Sequence, residues 1–152
     1  MRFTGTYDQD QLLDESLPIT WRHINKLAGC GALGDLGSHL LSISQFIMGD
    51  ITKVNAVATT VFPKRPKSAG STEMVDVENE DIMTFMAEYA NGAIGQIACS
   101  RVATGRKNYL TYEIQAPRVL FVTIWSAWAK FRFTSSLTTS ATAASAPYCS
   151  TR

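Results

Sequence analysis

Cysteine is scarce and oddly numbered in this 152-residue chain: there are three, Cys30, Cys99 and Cys149. They are far apart, with no CxxC or Cys/His spacing. That pattern excludes a disulfide framework and a zinc knuckle, so free thiols are expected. Charge of one sign is lacking too, since 14 Lys and Arg face 13 Asp and Glu, spread along the chain. Without a basic patch there is no electrostatic footprint for a nucleic acid. No apolar run is long enough for a membrane span, and the N-terminus lacks the basic-then-apolar order of a signal peptide. A cytoplasmic location follows by default. Length and near-neutral charge suit one sizeable core rather than two full domains.

What is present is organised around residues 29 to 49, GCGALGDLGSHLLSISQFIMG. Glycines 29, 31 and 34 give a flexible entry, Asp35 is a good N-cap, and Leu36 to Met48 has helical spacing until Gly49 stops it. Asp35 and His39 are four residues apart, which on a helix puts both on one face, a turn from each other. A carboxylate there can orient an imidazole, making a proton-transfer unit. The plainer alternative is that Asp35 only caps the helix and His39 only packs.

The same stretch holds a GxGxxG pattern, Gly29 to Gly34. A dinucleotide fingerprint needs an apolar strand leading in and an acidic residue about 20 positions later. Here the lead-in is TWRHINKLA, and the later positions are Lys53, Val54, Asn55 and Ala56. The glycines are therefore expected to let the loop turn and to bring backbone close to a ligand, without holding a dinucleotide.

Elsewhere the pattern is β-like. Lys53 to Phe62, Ile82 to Tyr89, Ala93 to Arg101 and Asn108 to Gln115 are strand-length segments, with a Pro- and Ser/Gly-rich loop between the first two. Asn91-Gly92 predicts a two-residue type I′ hairpin. Met1 to Ile19 reads as a connecting segment with one short helix at most, and His23 as a surface residue. The expected fold class is α+β: an open-faced antiparallel β-sheet of about four strands, with helices packed on one face. The free face suits a partner or another copy of the chain.

Asp35-Leu36-Gly37-Ser38-His39, preceded by GALG and followed by a helix, resembles the DxGxHxxD motif in the second domain of the Gfo/Idh/MocA family of NAD(P)-dependent oxidoreductases. Tyr7 to Asp10, Trp21-Arg22, Arg65-Pro66, Val75 to Glu78, Ser100-Arg101, Gly105 to Asn108 and Tyr112 to Ile114 continue the likeness in collinear order. Ser42 stands where the motif's last Asp should be, a change expected to weaken a secondary contact.

The resemblance implies hydride transfer between a sugar or polyol and NAD or NADP. His39 would be the general base and Asp35 its orienting partner. Arg22 becomes a candidate to hold substrate hydroxyls, against the alternative that it only stacks on Trp21. Arg101 either points toward the helix, reaching substrate or Asp35, or is a solvated charge. A nucleotide-binding Rossmann domain should precede Met1, so no cofactor is expected to bind this fragment alone, and it should be inactive by itself. A homo-oligomer through the sheet is expected. Two other functions stay open: a dimerisation or scaffold module without chemistry, and an NAD-assisted glycosidase.

Residues 1–115 carry the family pattern, and 116–152 do not. APRVLFVTIWSAWAKFRF has no clean period, and a Ser/Thr/Ala-rich tail follows. Codons for this stretch can be chosen so that a frame shifted by one base reads GTKGS and a family-like continuation. The expectation is an out-of-frame translation from Ala116 onward, with a genuine disordered tail as the alternative.

Overall fold

A computed structural model describes residues 1–117, 119–124 and 130–135, the last two ranges as backbone only. Cys149 lies outside them. Among the described residues the main sheet has seven strands in the order β2-β5-β6-β1-β7-β8-β9. These are β1 (Arg2–Asp8), β2 (Ile51–Thr59), β5 (Ile82–Tyr89), β6 (Ile94–Ser100), β7 (Tyr109–Ala116), β8 (Val119–Ile124) and β9 (Lys130–Ser135). A separate ribbon pairs β3 (Lys64–Pro66) with β4 (Met74–Asp76). The helical segments are a 3-10 turn at Trp21–His23, the single turn α1 (Asn25–Ala28), a π-helical turn at Leu33–Gly37, and α2 (Ser38–Met48).

The α+β class holds, but the sheet is mixed. The segment expected to be a connector supplies its central strand, β1, which pairs parallel with β6 and antiparallel with β7. Gly5 disguised it, because a glycine in a short run weakens the strand pattern. The space a side chain would fill is taken: a Cβ on Gly5 would lie 2.8 Å from Leu40 Cδ2 and 2.9 Å from Phe3.

α2 crosses the sheet at this point. Leu36, Leu40, Ser44 and Met48 are buried at four-residue steps, a stripe along one side of a helix. The core joins Leu40 and Met48 to Phe3, Phe85, Ala87, Tyr89, Ala93 and Ile97. A smaller cluster sets Ala32 and Leu36 against Cys99. Burial there pushes the Cys99 thiol up to about 12, so it stays protonated and serves as packing.

The opposite face of the sheet is open. Lys53 lies across from Glu88, Asn55 from Met86 and Val57 from Thr84, and Val57, Met86 and Ile94 are exposed.

The β5–β6 hairpin forms where expected, with a different turn. Gly92 N donates to Tyr89 O and Tyr89 N donates to Ala93 O, both at 2.9 Å. That is a three-residue loop with Gly92 at φ +79°, the arrangement of a turn followed by a left-handed residue. Asn91 is used as a brace instead: its Nδ2 donates to Met48 O and its Oδ1 accepts from Ala93 N.

Candidate active site

The helix begins before Asp35, so Asp35 is not its N-cap. That job falls to Glu80, whose carboxylate accepts from Gly31 N at 2.9 and 3.0 Å and from Leu33 N at 2.9 Å. A carboxylate is well suited to the unsatisfied amides and positive end of a helix start. Asp35 is thereby spared from capping inside the π-helical turn. One residue before each member of the buried Leu36/Leu40 stripe, Asp35 and His39 stand at its rim, and both are exposed.

Gly31 packs so closely that a Cβ there would lie 2.0 Å from the Glu80 carbonyl oxygen. The close approach expected of the glycines is therefore to Glu80 and not to a ligand. It also decides against a dinucleotide at Gly29–Gly34, since two amides that a pyrophosphate would need are already bonded. The residues present there do not fit that cofactor.

The structure brings Arg22 to Asp35. Arg22 Nε lies 3.7 Å from Asp35 Oδ2, and its guanidinium stacks on Trp21 at 4.5 Å. The expected stack on Trp21 is made, and Asp35 is a partner the sequence did not predict for Arg22. His39 meets a different partner: the Tyr7 ring packs edge-on against it, with centroids 5.8 Å apart at 61°. No hydrogen bond or ion pair joins Asp35 directly to His39 among the described residues. Ser42 is exposed on the same helix.

Arg101 takes neither expected position. It is 2 % exposed and ion-pairs with Asp81 at 3.3 Å. Its other bonds go to the Glu80 carbonyl at 3.0 Å and the Arg22 carbonyl at 3.2 Å. Asn79 Nδ2 donates to the same Arg22 carbonyl at 2.9 Å. Arg101 therefore sits behind Arg22, holding its backbone.

His23, expected at the surface, is fully buried, and its Nδ1 accepts from Thr20 N at 3.0 Å. Burial first, then the nearby Arg65 and Arg101 guanidiniums, push its pKa below the ordinary imidazole value. Arg65, also fully buried, donates to the Asp14 carbonyl at 2.7 Å and to the Leu12 carbonyl, fixing the segment between β1 and Trp21.

Residues 78 to 81, Glu-Asn-Glu-Asp, are what the sequence reasoning missed. Glu78 accepts from Asn25 N at 2.7 Å, and Asp81 Oδ2 accepts from Val61 N at 2.9 Å and Phe62 N at 3.2 Å. A compact acidic run with an embedded Asn was the available signal, though such runs are usually solvated faces. Among the described residues no helix is long and apolar enough to cross a membrane, and no cluster of His, Cys, Asp and Glu could hold a metal.

Comparison with known proteins identifies the family. Residues 1–118 match the family described as GFO/IDH/MocA C-terminal domain. Levoglucosan dehydrogenase of Pseudarthrobacter phenanthrenivorans is 39% identical over 127 residues, covering 75% of this chain and 32% of that protein. Among solved structures, levoglucosan dehydrogenase in complex with NADH and L-sorbose superposes with a TM-score of 0.80 at 31% identity, over 89% of this chain and 40% of that one. An oxidoreductase domain protein from Kribbella flavida gives 0.79 at 31% identity, over 87% and 40%. The chain thus spans about a third of the curated relative it matches. With the matched region reaching from the first strand through β7 and including Asp35 and His39, the chain belongs to the GFO/IDH/MocA C-terminal domain family.

Proposed function

We propose that this chain is the substrate-binding half of a dehydrogenase that moves hydride between a sugar or polyol and NAD or NADP. The observation that carries the reading is an exposed Asp35 and His39 on a helix whose capping is done by another residue, Glu80. A carboxylate spared from capping is available for chemistry. A nicotinamide held by a nucleotide-binding domain of the whole enzyme would supply the hydride acceptor. This chain handles the proton. His39 accepts it from the substrate hydroxyl as general base, with Asp35 one helical turn away on the same rim of the helix. Arg22 lies at the Asp35 carboxylate, 3.7 Å away, where it can hold a neighbouring hydroxyl. Arg101 acts on Arg22 from behind and does not touch substrate. The solved complexes of levoglucosan dehydrogenase with NADH and levoglucosan support a sugar as substrate class.

The test is to fuse the chain behind the nucleotide-binding half of levoglucosan dehydrogenase and follow NADH absorbance with levoglucosan. Activity is expected, and His39→Asn should lower it about a hundredfold to ten-thousandfold with the melting transition unmoved. An equally active His39→Asn fusion would sink the proposal.

The exposed Val57, Met86 and Ile94 on the open face favour a homo-oligomer through the sheet, checked by sedimentation of the purified chain. Residues 116–152 we read as an out-of-frame translation, a reading supported by the family match stopping at residue 118. Sequencing the DNA around the Gln115 codon tests it. An uninterrupted frame with incompatible codons removes it.

A further inference from the structure

Tyr7, whose ring packs against His39, meets Gln9 at Asn108. β1 and β7 run antiparallel, with Tyr7 opposite Leu110 and Asp8 opposite Tyr109, so the start of β7 is carried to the end of β1. There Tyr7 Oη donates to Asn108 Oδ1 at 2.7 Å, and Gln9 Nε2 donates to the same oxygen at 2.8 Å. An amide oxygen has two lone pairs. Both are used.

What remains decides the chemistry. Among the described residues Asn108 Nδ2 keeps its two N–H donors and Gln9 Oε1 keeps its lone pairs, and both bonds of the clamp lie at the surface. A free donor next to a free acceptor is what one hydroxyl, or two adjacent ones, can satisfy together. The Tyr7 ring, packed edge-on against His39, ties this pair to the catalytic imidazole.

Charge around the clamp points the same way. The two cations next to Asn108 are engaged elsewhere: Lys107 Nζ lies 2.9 Å from Asp10 Oδ2, and the Arg106 guanidinium stacks on Tyr109 at 3.8 Å. The clamp itself contains no ionised group. A carboxylate or phosphate would find no counter-charge among its members, whereas a neutral diol would find its full set of partners.

We propose that Gln9 and Asn108, braced by Tyr7, form a subsite for a neutral polyol, holding hydroxyls next to the one whose proton His39 takes. The proposal rests on the dehydrogenase reading of His39. It adds specificity residues to that site and names the ligand class as uncharged.

The experiment is a titration of the purified full chain with levoglucosan, followed by nitrogen-15 NMR of side-chain amides and by the His39 ring protons. Saturable shifts of the Asn108 and Gln9 amide signals, in step with His39, are expected. Asn108→Asp keeps the acceptor for Tyr7 and Gln9 but loses both donors, and should bind about fivefold to tenfold more weakly. Gln9→Leu, which leaves the Tyr7–Asn108 bond intact, should weaken binding similarly and guards against a misfolded first variant. Shifts at His39 with none at Asn108 and Gln9, or unchanged affinity in both variants, overturn the subsite while sparing the dehydrogenase reading. No saturable shift anywhere overturns it as a property of this chain, and the fusion assay then judges the dehydrogenase reading separately. Binding of gluconate in preference to levoglucosan overturns the uncharged ligand class.

Discussion

Arg22 and His23 are adjacent in sequence and belong to opposite regions of the site. Arg22 is half exposed and meets Asp35 across 3.7 Å, while His23 is fully buried among Arg65, Asn79, Asp81 and Arg101. The outer region is open to solvent. The inner one is bonded to backbone carbonyls and is not. Polar residues in one small volume thus divide into those left open to solvent and those bonded into the frame, and burial, not residue type, makes the division. The buried region also concentrates stability, since charges taken out of water are costly to leave unpaired.

That contrast can be broken most sharply at Arg101. Arg101→Ala strands the buried Asp81 carboxylate and should cost about 3–5 kcal/mol in urea unfolding of the chain. A loss under half that size would mean that water relieves Asp81 and that the inner region is less sealed than described. Next comes Glu80. Removing its carboxylate in Glu80→Ala leaves the Gly31 and Leu33 amides unbonded, at a cost of about 2 kcal/mol. Glu80→Gln, which keeps one acceptor oxygen, should lose visibly less.

The pH dependence of stability sharpens the comparison further. Because His23 has its pKa lowered on folding, the unfolded chain binds more protons between the folded value and the ordinary value of about 6.5. Stability should therefore rise with pH across that window and fall as pH drops through it. Denaturation curves of wild type and His23→Gln, compared below pH 6.5, should show this slope only in the wild type. The smallest effect belongs to the outer region: Asp35→Asn should change stability by no more than about 0.5 kcal/mol. A larger loss in thermal unfolding would place Asp35 in the structural frame after all.

Legibility followed the range of the interactions. β5 and β6 were readable because buried Phe85, Ala87 and Tyr89 alternate with exposed Met86 and Glu88, and because Asn91-Gly92 marks their turn. Asp35 and His39 were readable because helical spacing is local. β1 was hidden by Gly5, and its parallel partner β6 is about ninety residues away in the chain, beyond any local pattern. Capping was misassigned for the same reason: Asp35 has the right type and place for a cap, but Glu80 competes for those amides from 47 to 49 residues away. His23 looked exposed because it has no partner at useful spacing in the sequence. The groups that enclose it come from far along the chain, Arg65 from β3 and Arg101 from just past the end of β6.

The π-helical turn at Leu33–Gly37 sets how readily this site could be lost in evolution. Such turns hold one residue more than the α-helical path requires, so a single-codon deletion between 33 and 37 could be absorbed by relaxing to an ordinary helix. Each residue of an α-helix turns the chain by about 100°. The deletion could therefore leave α2 seated on the sheet with its core intact, and swing the carboxylate position away from Arg22. A fold-preserving route that parts Asp35 from Arg22 is written into one helical turn.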